Sequence, residues 1–228
     1  MAVVLSDAQL TALRSVDTPT ICNAIEAFKV RDQTYGYTGV DVRCLFPELG
    51  VMVGYAVTAR VSSTEPGAPE QHDGQLALWE ALHAAPKPAV LVFEDVGPRT
   101  RQSAHFGEMM GNTATRLGAI GLVTDGGVRD LNEVCGLGFH YFALGASPSH
   151  GHPRIFHVGG PVYVDGCRFQ MGDIVHGDLN GVTVVPAAVA DRVMDEVAKV
   201  REREGGMLEE MKEPSWGIEN LRRRYLRH

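Results

Sequence analysis

Hydrophobic and polar positions in the middle of the chain alternate between helical and strand-like spacing. Residues 72–85 (HDGQLALWEALHAA) place apolar side chains at helical intervals, whereas residues 88–96 (PAVLVFEDV) are an almost continuous apolar run. Runs of that kind are typical of strands that are covered on both faces. Helices are predicted at residues 72–85, 106–118 and 131–138, and strands at residues 88–96, 119–125 and 139–147. This alternation predicts parallel βαβ units with right-handed crossovers.

Two short helices and a strand are predicted ahead of this region. Residues 6–16 (SDAQLTALRSV) have helical spacing behind Ser6, a typical N-cap residue, and Pro19 suits the first turn of a second helix. The valine-rich stretch at residues 51–61 (VMVGYAVTARV) predicts a strand in which Gly54 is a candidate bulge.

The pattern changes in the last third of the chain. Residues 155–186 contain short alternating strands separated by glycine-containing turns, which predicts a β-meander. Residues 186–204 then follow a helical period with four valines on one stripe, and Gly205-Gly206 is expected to end that helix. Pro214 is expected to start a last short helix.

The elements together predict an α/β protein that forms one domain. A chain of 228 residues is long enough for a large single core. The core is expected at about residues 15–186, and a helical C-terminal arm is expected at about residues 187–228. A polar arm that follows a complete domain often packs on a neighbouring subunit, so this segment is a candidate subunit contact.

Composition and charge narrow the class of protein. Hydrophobic residues make up 44% of the chain and charged residues 21%, with no apolar run of about 18 residues, so a soluble protein without a membrane span is expected. The N-terminus lacks a basic stretch ahead of an apolar core, which argues against a signal peptide and favours the cytoplasm. The formal net charge of −7 argues against nucleic-acid binding. The basic sequence LRRRYLRH (221–228) is interpreted as a solvated helix end.

The stretch TDGGVRDLNE (124–133) is the strongest candidate for chemistry. It follows a predicted buried strand, and its glycines allow a tight turn that delivers Arg129 and Asp130 to the start of a helix. Ligands of open α/β sheets collect at this edge of the strands. A purely structural alternative is that Asp130 caps the helix and Glu133 completes a capping box.

A second stretch favours the functional interpretation. Residues 106–110 (FGEMM) place Gly107 and Glu108 at a helix start behind the neighbouring strand, so two helix N-termini are expected to face one crevice. The carboxylates of Glu108 and Asp130 suit Mg²⁺ or Mn²⁺, and the guanidinium of Arg129 can bind a carboxylate with two hydrogen bonds. The two stretches together predict a site for a divalent metal and a small keto acid.

Other motifs carry less information. His150 and His152 (SHGHP) resemble a metal pair, but Pro153 indicates a loop, whereas His105 adjoins the candidate site and is a candidate for the pocket edge. The chain has neither the GK[ST] ending of a P-loop nor a GxGxxG after an early strand, so no nucleotide-type cofactor is predicted. None of the four cysteines belongs to a CxxC motif.

The sequence FGEMMGNTATRLGAIGLVTDGGVRDLNE (106–133) resembles the signature of the RraA-like family. The flanking stretches at residues 54–60, 73–82 and 172–186 agree, and the similarity spans roughly residues 15–204. This family includes class II aldolases for 4-hydroxy-4-methyl-2-oxoglutarate (HMG) and 4-carboxy-4-hydroxy-2-oxoadipate (CHA). Other members inhibit a ribonuclease.

The resemblance implies a layered α/β/β swivelling-type fold, and ring-shaped homotrimers or homohexamers with sites at subunit interfaces. It also implies a divalent-metal-dependent pyruvate aldolase that cleaves a 4-hydroxy-2-oxo acid, with oxaloacetate decarboxylation as a side activity. The alternative that it leaves open is a protein-binding regulator of ribonuclease activity. No nucleic-acid or membrane partner is expected in either case.

The resemblance also implies roles for particular residues. The family's metal-binding aspartate falls on Asp130 and its pyruvate-binding arginine on Arg129. The amides of the helix start, around Gly107, Met109 and Met110, would bind the substrate.

Four glutamates complete the expected site. The resemblance implies that Glu108 holds the metal through water, and that a glutamate from the neighbouring subunit's C-terminal helix, Glu204 or Glu202, does so as well. Glu133 is assigned to the support of Arg129.

Overall fold

The computed structural model describes residues 3–69 and 72–226. Within these residues the strands are β1 (Arg43–Cys44), β2 (Met52–Ser62), β3 (Ala89–Asp95), β4 (Ala119–Thr124), β5 (Gly127–Val128), β6 (His140–Ala143), β7 (Gly145–Ala146), β8 (Arg154–Phe156), β9 (Val162–Val164), β10 (Cys167–Phe169), β11 (Ile174–Asp178) and β12 (Gly181–Val185). The α-helices are α1 (Asp7–Arg14), α2 (Thr18–Glu26), α3 (Asp73–Ala84), α4 (Glu108–Arg116), α5 (Leu131–Gly136), α6 (Val193–Met211) and α7 (Ile218–Tyr225).

The continuously apolar strands form the centre of an eight-stranded sheet. The strand order is β1-β6-β4-β3-β2-β11-β12, and β8 pairs with the far end of β2. Strands β2, β3, β4 and β6 run parallel to one another, with helices α3, α4 and α5 in the connections. The predicted alternation of helices and parallel strands is therefore confirmed.

Strand β2 is the longest strand and has two antiparallel partners along one edge. Strand β11 pairs with its first residues and β8 with its last three. Between these partners, Ala56 exchanges two backbone hydrogen bonds with the turn at residues 172–173, and the carbonyl of Thr58 accepts one from Gly159. Backbone groups of other segments thus cover this edge of the strand from one end to the other.

Alternating side chains on the central strands separate two packed layers. On one face, Val57 and Val61 pack with α3, α4 and α5, and Tyr55 packs with α1, α2 and α6. On the opposite face, Val90 and Val92 pack against the hairpin of β9 and β10. The layers are therefore helix, sheet and hairpin, which confirms the predicted α/β/β fold.

The helix α6 departs from the prediction at both ends. It begins at Val193 and continues through Gly205-Gly206 to Met211, so the predicted end at the two glycines is wrong. Good helix formers flank the glycines, and one glycine costs a helix only about 1 kcal/mol relative to alanine. The predicted valine stripe is confirmed, because the valines of α6 are buried against α2. The last helix, α7, begins after Gly217, later than Pro214.

Two further predictions are refined. The predicted β-meander consists of two hairpins, of which β9–β10 forms its own sheet and β11–β12 joins the main sheet. Gly54 is not a bulge, because the pairing of β2 with β11 continues through it without a shift. A Cβ atom at Gly54 would instead lie 2.7 Å from the carbonyl oxygen of Pro88, so glycine is required by a close backbone approach.

Among the described residues, no helix is both long and apolar enough to cross a lipid bilayer. Three arginines occupy the last turn of α7, as expected for a helix C-terminus. Arg227 and His228, the end of the basic sequence, lie outside the described residues.

Two glycine-to-alanine variants should have opposite effects on stability. We expect Gly54→Ala to lower the free energy of unfolding by about 1–3 kcal/mol, because the added methyl group meets Pro88 and Val90. We expect Gly205→Ala, which has open space around it, to raise that free energy by about 0.5–1 kcal/mol. Thermal melting of the three proteins at one concentration checks both expectations. A destabilised Gly205→Ala variant would contradict a continuous α6.

Candidate active site

Two segments of the chain meet at the carboxyl edge of the parallel sheet. The neighbouring strands β3 and β4 end at Asp95 and Thr124, and the chain then leads from each strand to the start of a helix, α4 or α5. The backbone N–H of Arg129 donates to the carbonyl of Phe106 at 2.9 Å, which joins the two segments directly. The predicted meeting of these two stretches at one edge is therefore present in the structure.

A buried aromatic cluster holds this junction from below. The ring of Phe106 stacks on Phe139 with centroids 5.3 Å apart and meets Tyr141 edge-on at 6.0 Å. The Tyr141 hydroxyl donates to the carbonyl of Arg129 at 3.3 Å, and burial raises the pKa of that hydroxyl. The tyrosine thus remains a hydrogen-bond donor, and both backbone groups of Arg129 are fixed.

The carboxylate of Asp130 connects the two helix starts. One of its oxygens, Oδ2, accepts from the N–H of Glu108 at 2.9 Å and from Nε of Arg129 at 3.2 Å. Asp130 has φ 56° and ψ 50°, a left-handed conformation that aspartate tolerates better than most residues. Its side chain makes no capping bond to its own helix. The capping-box alternative with Glu133 is therefore wrong, because Asp130 caps α4 instead of α5.

The close approach of the two segments requires glycine at position 107. A Cβ atom there would overlap Oδ2 of Asp130 and would lie 2.9 Å from Cγ and Nε of Arg129. Gly107 has an extended backbone, so the requirement is for space and not for an unusual φ.

A pocket of about 210 Å³ opens over this arrangement. The residues that line it include six of those that were predicted to bind metal or substrate: Gly107, Glu108, Met109, Met110, Arg129 and Asp130. His105, proposed for the pocket edge, lines it as well. The remaining residues of the lining are Gln75, Ala104, His150 and Pro153.

The oxygen donors of this pocket fit a hard divalent cation. The second oxygen of Asp130, Oδ1, makes no hydrogen bond within the described residues, and the Asp130 side chain is 30% exposed. The side chain of Glu108 is exposed at the same pocket. Mg²⁺ is often held by one or two carboxylates and keeps several waters. No group of three or more His, Cys, Asp or Glu side chains in residues 3–69 and 72–226 is arranged to hold a metal ion.

Three of the predicted glutamates lie outside the pocket. Glu133 is exposed and forms no ion pair with Arg129 in the described chain, so the structure gives no contact for its predicted supporting role. Glu204 lies on α6 and accepts a long hydrogen bond from Asn23 of α2 at 3.4 Å. Glu202 is exposed on the same helix. Within one chain, neither Glu202 nor Glu204 lines the pocket.

The two histidines of the loop at residues 147–153 have different surroundings. His150 lines the pocket with Asp130, and His152 lines a neighbouring pocket with Ser63 and Arg99, while both line a third pocket between these two. The sequence analysis treated the two histidines as part of a loop, in spite of their resemblance to a metal pair, and did not connect His150 or Gln75 with the site. Their spacing carried no signal, because the loop reaches the site through contacts with a distant strand.

A buried acidic pair lies beneath the site, at the ends of β3 and β4. The backbone N–H of Asp95 donates to Oδ1 of Asp125 at 2.8 Å. Burial raises the pKa of Asp125 to about 7, and the charges of Asp95 and Glu94 add to the increase. His105 is buried beside this pair, with Nε2 3.8 Å from Oδ2 of Asp95. Burial lowers the pKa of His105 to about 4, so its ring is neutral at neutral pH.

Comparisons with known proteins concern the family and the fold of the chain. The family model for RraA-like proteins, described as Aldolase/RraA, matches residues 18–184, well over half of the chain. A protein of Halalkalibacterium halodurans, provisionally named 4-hydroxy-4-methyl-2-oxoglutarate aldolase, is 31% identical over 149 residues. That match covers 65% of this chain and 66% of the relative, slightly less than two thirds of its length.

Solved structures share the fold. An uncharacterized protein from Pseudomonas syringae superposes with a TM-score of 0.74 at 20% identity, over 99% of this chain and 97% of that one. RraAS2 of Streptomyces coelicolor, described as an unusual member of the RNase ES inhibitor RraA protein family, has a TM-score of 0.66 at 22% identity. That superposition covers 89% of this chain and 96% of the other. At these identities the likeness concerns the fold.

The raised pKa of Asp125 predicts a pH dependence of stability. Its folded pKa of about 7 lies above the ordinary value of 3.8, so the stabilisation is complete below pH 3.8 and is lost as the pH rises towards 7. Asp125→Asn mimics the protonated acid and keeps the acceptor for Asp95. From about pH 5 to about pH 8, we expect the unfolding free energy of the unchanged protein to fall by about 1–3 kcal/mol relative to this variant.

Urea unfolding of both proteins at the two pH values measures this difference. The comparison cancels the opposite contribution of His105, which both proteins share. Parallel pH profiles for the two proteins would show that Asp125 is not held protonated by the fold.

Proposed function

The chain belongs to the RraA-like family, and we propose that it is a divalent-metal-dependent pyruvate aldolase. Its substrate would be a 4-hydroxy-2-oxo acid of the HMG or CHA type, which it would cleave to pyruvate and a second oxo acid. The observation that carries this proposal is the shared oxygen of Asp130, which fixes Arg129 and the start of α4 around one pocket. The provisional aldolase name of the Halalkalibacterium halodurans relative supports the same reaction.

Asp130 and Glu108 are the residues that would hold the metal. Asp130 would use Oδ1, which is free of hydrogen bonds within the described residues, and Glu108 would act through water. A bound Mg²⁺ or Mn²⁺ supplies Lewis-acid stabilisation of the negative charge that develops on the 2-oxo oxygen. The carboxylate of Asp130 is already oriented by two donors, so its position does not depend on the metal.

Arg129 and the first turn of α4 would bind the 2-oxo acid. Nε of Arg129 donates to Asp130, which leaves the other guanidinium nitrogens for a substrate carboxylate. The N–H groups of Met109 and Met110 lie in the first turn of α4, where no side chain of the N-cap residue satisfies them. Free N–H groups at a helix start attract anions. Both ends of a pyruvate unit can thus be held in one orientation.

The chemistry that follows is cleavage of the bond between C3 and C4. Its electron pair moves into the oxo acid and gives the enolate of pyruvate, whose charge faces Arg129 and the amides of α4. Loss of carbon dioxide from oxaloacetate gives the same enolate, so that activity is expected as well.

A complete site would draw on a second copy of the chain. The described residues supply two carboxylates at the pocket, and helix α6 carries Glu202, which is exposed, and Glu204, which is half-buried. We propose homotrimers or homohexamers in which one of these glutamates reaches the neighbouring pocket. No nucleic-acid or membrane partner is part of this proposal.

The alternative function is a protein-binding regulator of ribonuclease activity. Its support is the shared fold with RraAS2, which is described as an RNase ES inhibitor family member. An inhibitor that acts through its outer surface does not require the arginine–aspartate pair in a pocket. We therefore place the aldolase first.

Asp130→Asn is the most direct test of the aldolase. Asparagine tolerates the left-handed backbone and keeps one oxygen acceptor, but it loses the charge that a metal requires. We expect kcat/KM for pyruvate release from HMG or CHA with added Mg²⁺ to fall at least about 100-fold. Asp191→Asn, which removes an exposed carboxylate of the same charge elsewhere, should leave the rate unchanged.

Full activity of Asp130→Asn, or activity that survives removal of divalent metal, would rule the proposal out. Recovery of a ribonuclease in a pull-down, together with no turnover of either oxo acid, would favour the regulator.

A further inference from the structure

We propose that His150 is the proton-transferring residue of this site, which takes the proton from the 4-hydroxyl group of the substrate. The proposal rests on the proposed aldolase function and assigns its proton-transfer step to a residue that the metal does not require. It is carried by the position of His150 in the pocket, by the hydrogen bond of its ring, and by the roles of the other titratable groups.

The loop at residues 147–153 brings His150 to the pocket of Arg129 and Asp130. Ser63, at the end of β2, anchors this loop: its carbonyl accepts from the N–H of His152 at 2.8 Å. Gly151, with φ 57°, packs so closely on the same carbonyl that a Cβ atom would overlap it. The residue next to His150 is thus fixed by the sheet edge, which places the imidazole at the pocket wall.

The hydrogen bond of the ring determines which nitrogen is basic. Nδ1 of His150 lies 2.8 Å from the carbonyl oxygen of Gly151. A carbonyl oxygen only accepts hydrogen bonds, so Nδ1 carries the proton. In the neutral imidazole Nε2 then has a free lone pair. Imidazole gains and loses a proton near neutral pH, as an acid–base catalyst requires.

The other titratable groups of the pocket either have another role in the proposed function or cannot take up the proton. Asp130 accepts from two donors, and Arg129 is permanently protonated. Glu108 is the second carboxylate available to the cation. The ring nitrogens of His105 are buried and out of reach of the pocket, although that side chain forms part of its wall. His150 is exposed at the pocket and holds neither the metal nor the 2-oxo acid in the proposed function, so its Nε2 is free to accept a proton.

Nε2 of His150 accepts the proton of the 4-hydroxyl group as the C4–O bond becomes a carbonyl and the C3–C4 bond breaks. The electron pair of that bond forms the enolate of pyruvate. The protonated imidazole then returns the proton to C3, which yields pyruvate and restores the neutral ring. No oxidant, reductant or further reactant is consumed.

The decarboxylation of oxaloacetate can distinguish a residue that acts as a base from a residue that only shapes the pocket. That reaction breaks a bond to an ionised carboxylate and requires no proton removal, and water can protonate the enolate that results. A variant without the base should therefore lose aldol cleavage and retain decarboxylation. A variant with a distorted pocket should lose both activities.

The experiment compares His150→Gln with His152→Gln, a matched control that alters the neighbouring pocket. We expect His150→Gln to lower kcat for HMG or CHA cleavage at least about 100-fold, with oxaloacetate decarboxylation retained within about threefold. His152→Gln should retain both activities. Added imidazole should restore cleavage to His150→Ala.

The outcomes distinguish the two proposals. If the unchanged protein releases no pyruvate from HMG or CHA, the aldolase proposal fails, and the role of His150 fails with it. If the unchanged protein is active and His150→Gln cleaves at the same rate, only the role of His150 is overturned. Parallel loss of cleavage and decarboxylation, without rescue by imidazole, would show that His150 shapes the pocket and transfers no proton.

Discussion

The site depends on a single carboxylate oxygen that serves two hydrogen-bond donors. Oδ2 of Asp130 satisfies the first N–H of α4 and orients the side chain of Arg129 at the same time. This arrangement requires a left-handed backbone at Asp130 and no side chain at Gly107. A charge-assisted bond to a helix start is among the stronger hydrogen bonds in proteins, which offsets the cost of the unusual backbone. The pocket is shaped before any ligand arrives.

The sheet supplies the rigidity that such an arrangement requires. Two neighbouring parallel strands end beside each other, and the backbone bond between Arg129 and Phe106 extends their association beyond the strand ends. The stacked rings of Phe106 and Phe139 fill the space below, so the junction cannot shift without disturbing the core. The buried pair of Asp95 and Asp125 lies at the same edge, where a raised pKa allows one acid to remain neutral.

The fold and most of the site residues could be predicted from the sequence for one physical reason. Continuous apolar runs identify buried parallel strands, and parallel strands bring their following residues to one edge, so Gly107 and Asp130 could be associated before the structure was known. The direction of the Asp130 cap could not be predicted, because its partner lies on another helix. The path of α6 through Gly205 and the position of His150 could not be predicted for the same reason, since each depends on a segment that is distant in the sequence. Packing on α2 and on Ser63 determines them, and local propensity does not contain that information.

The covered edge of β2 has a consequence for the behaviour of the protein in concentrated solution. A long, valine-rich strand with an open row of N–H and C=O groups is a template on which strands of other molecules can add, and this is how many aggregates begin. Here β11, two turns and β8 succeed one another along that row, so this valine-rich strand is covered. One of the covering segments, β8, directly follows Pro153 of the pocket wall, which links colloidal stability to the integrity of the site.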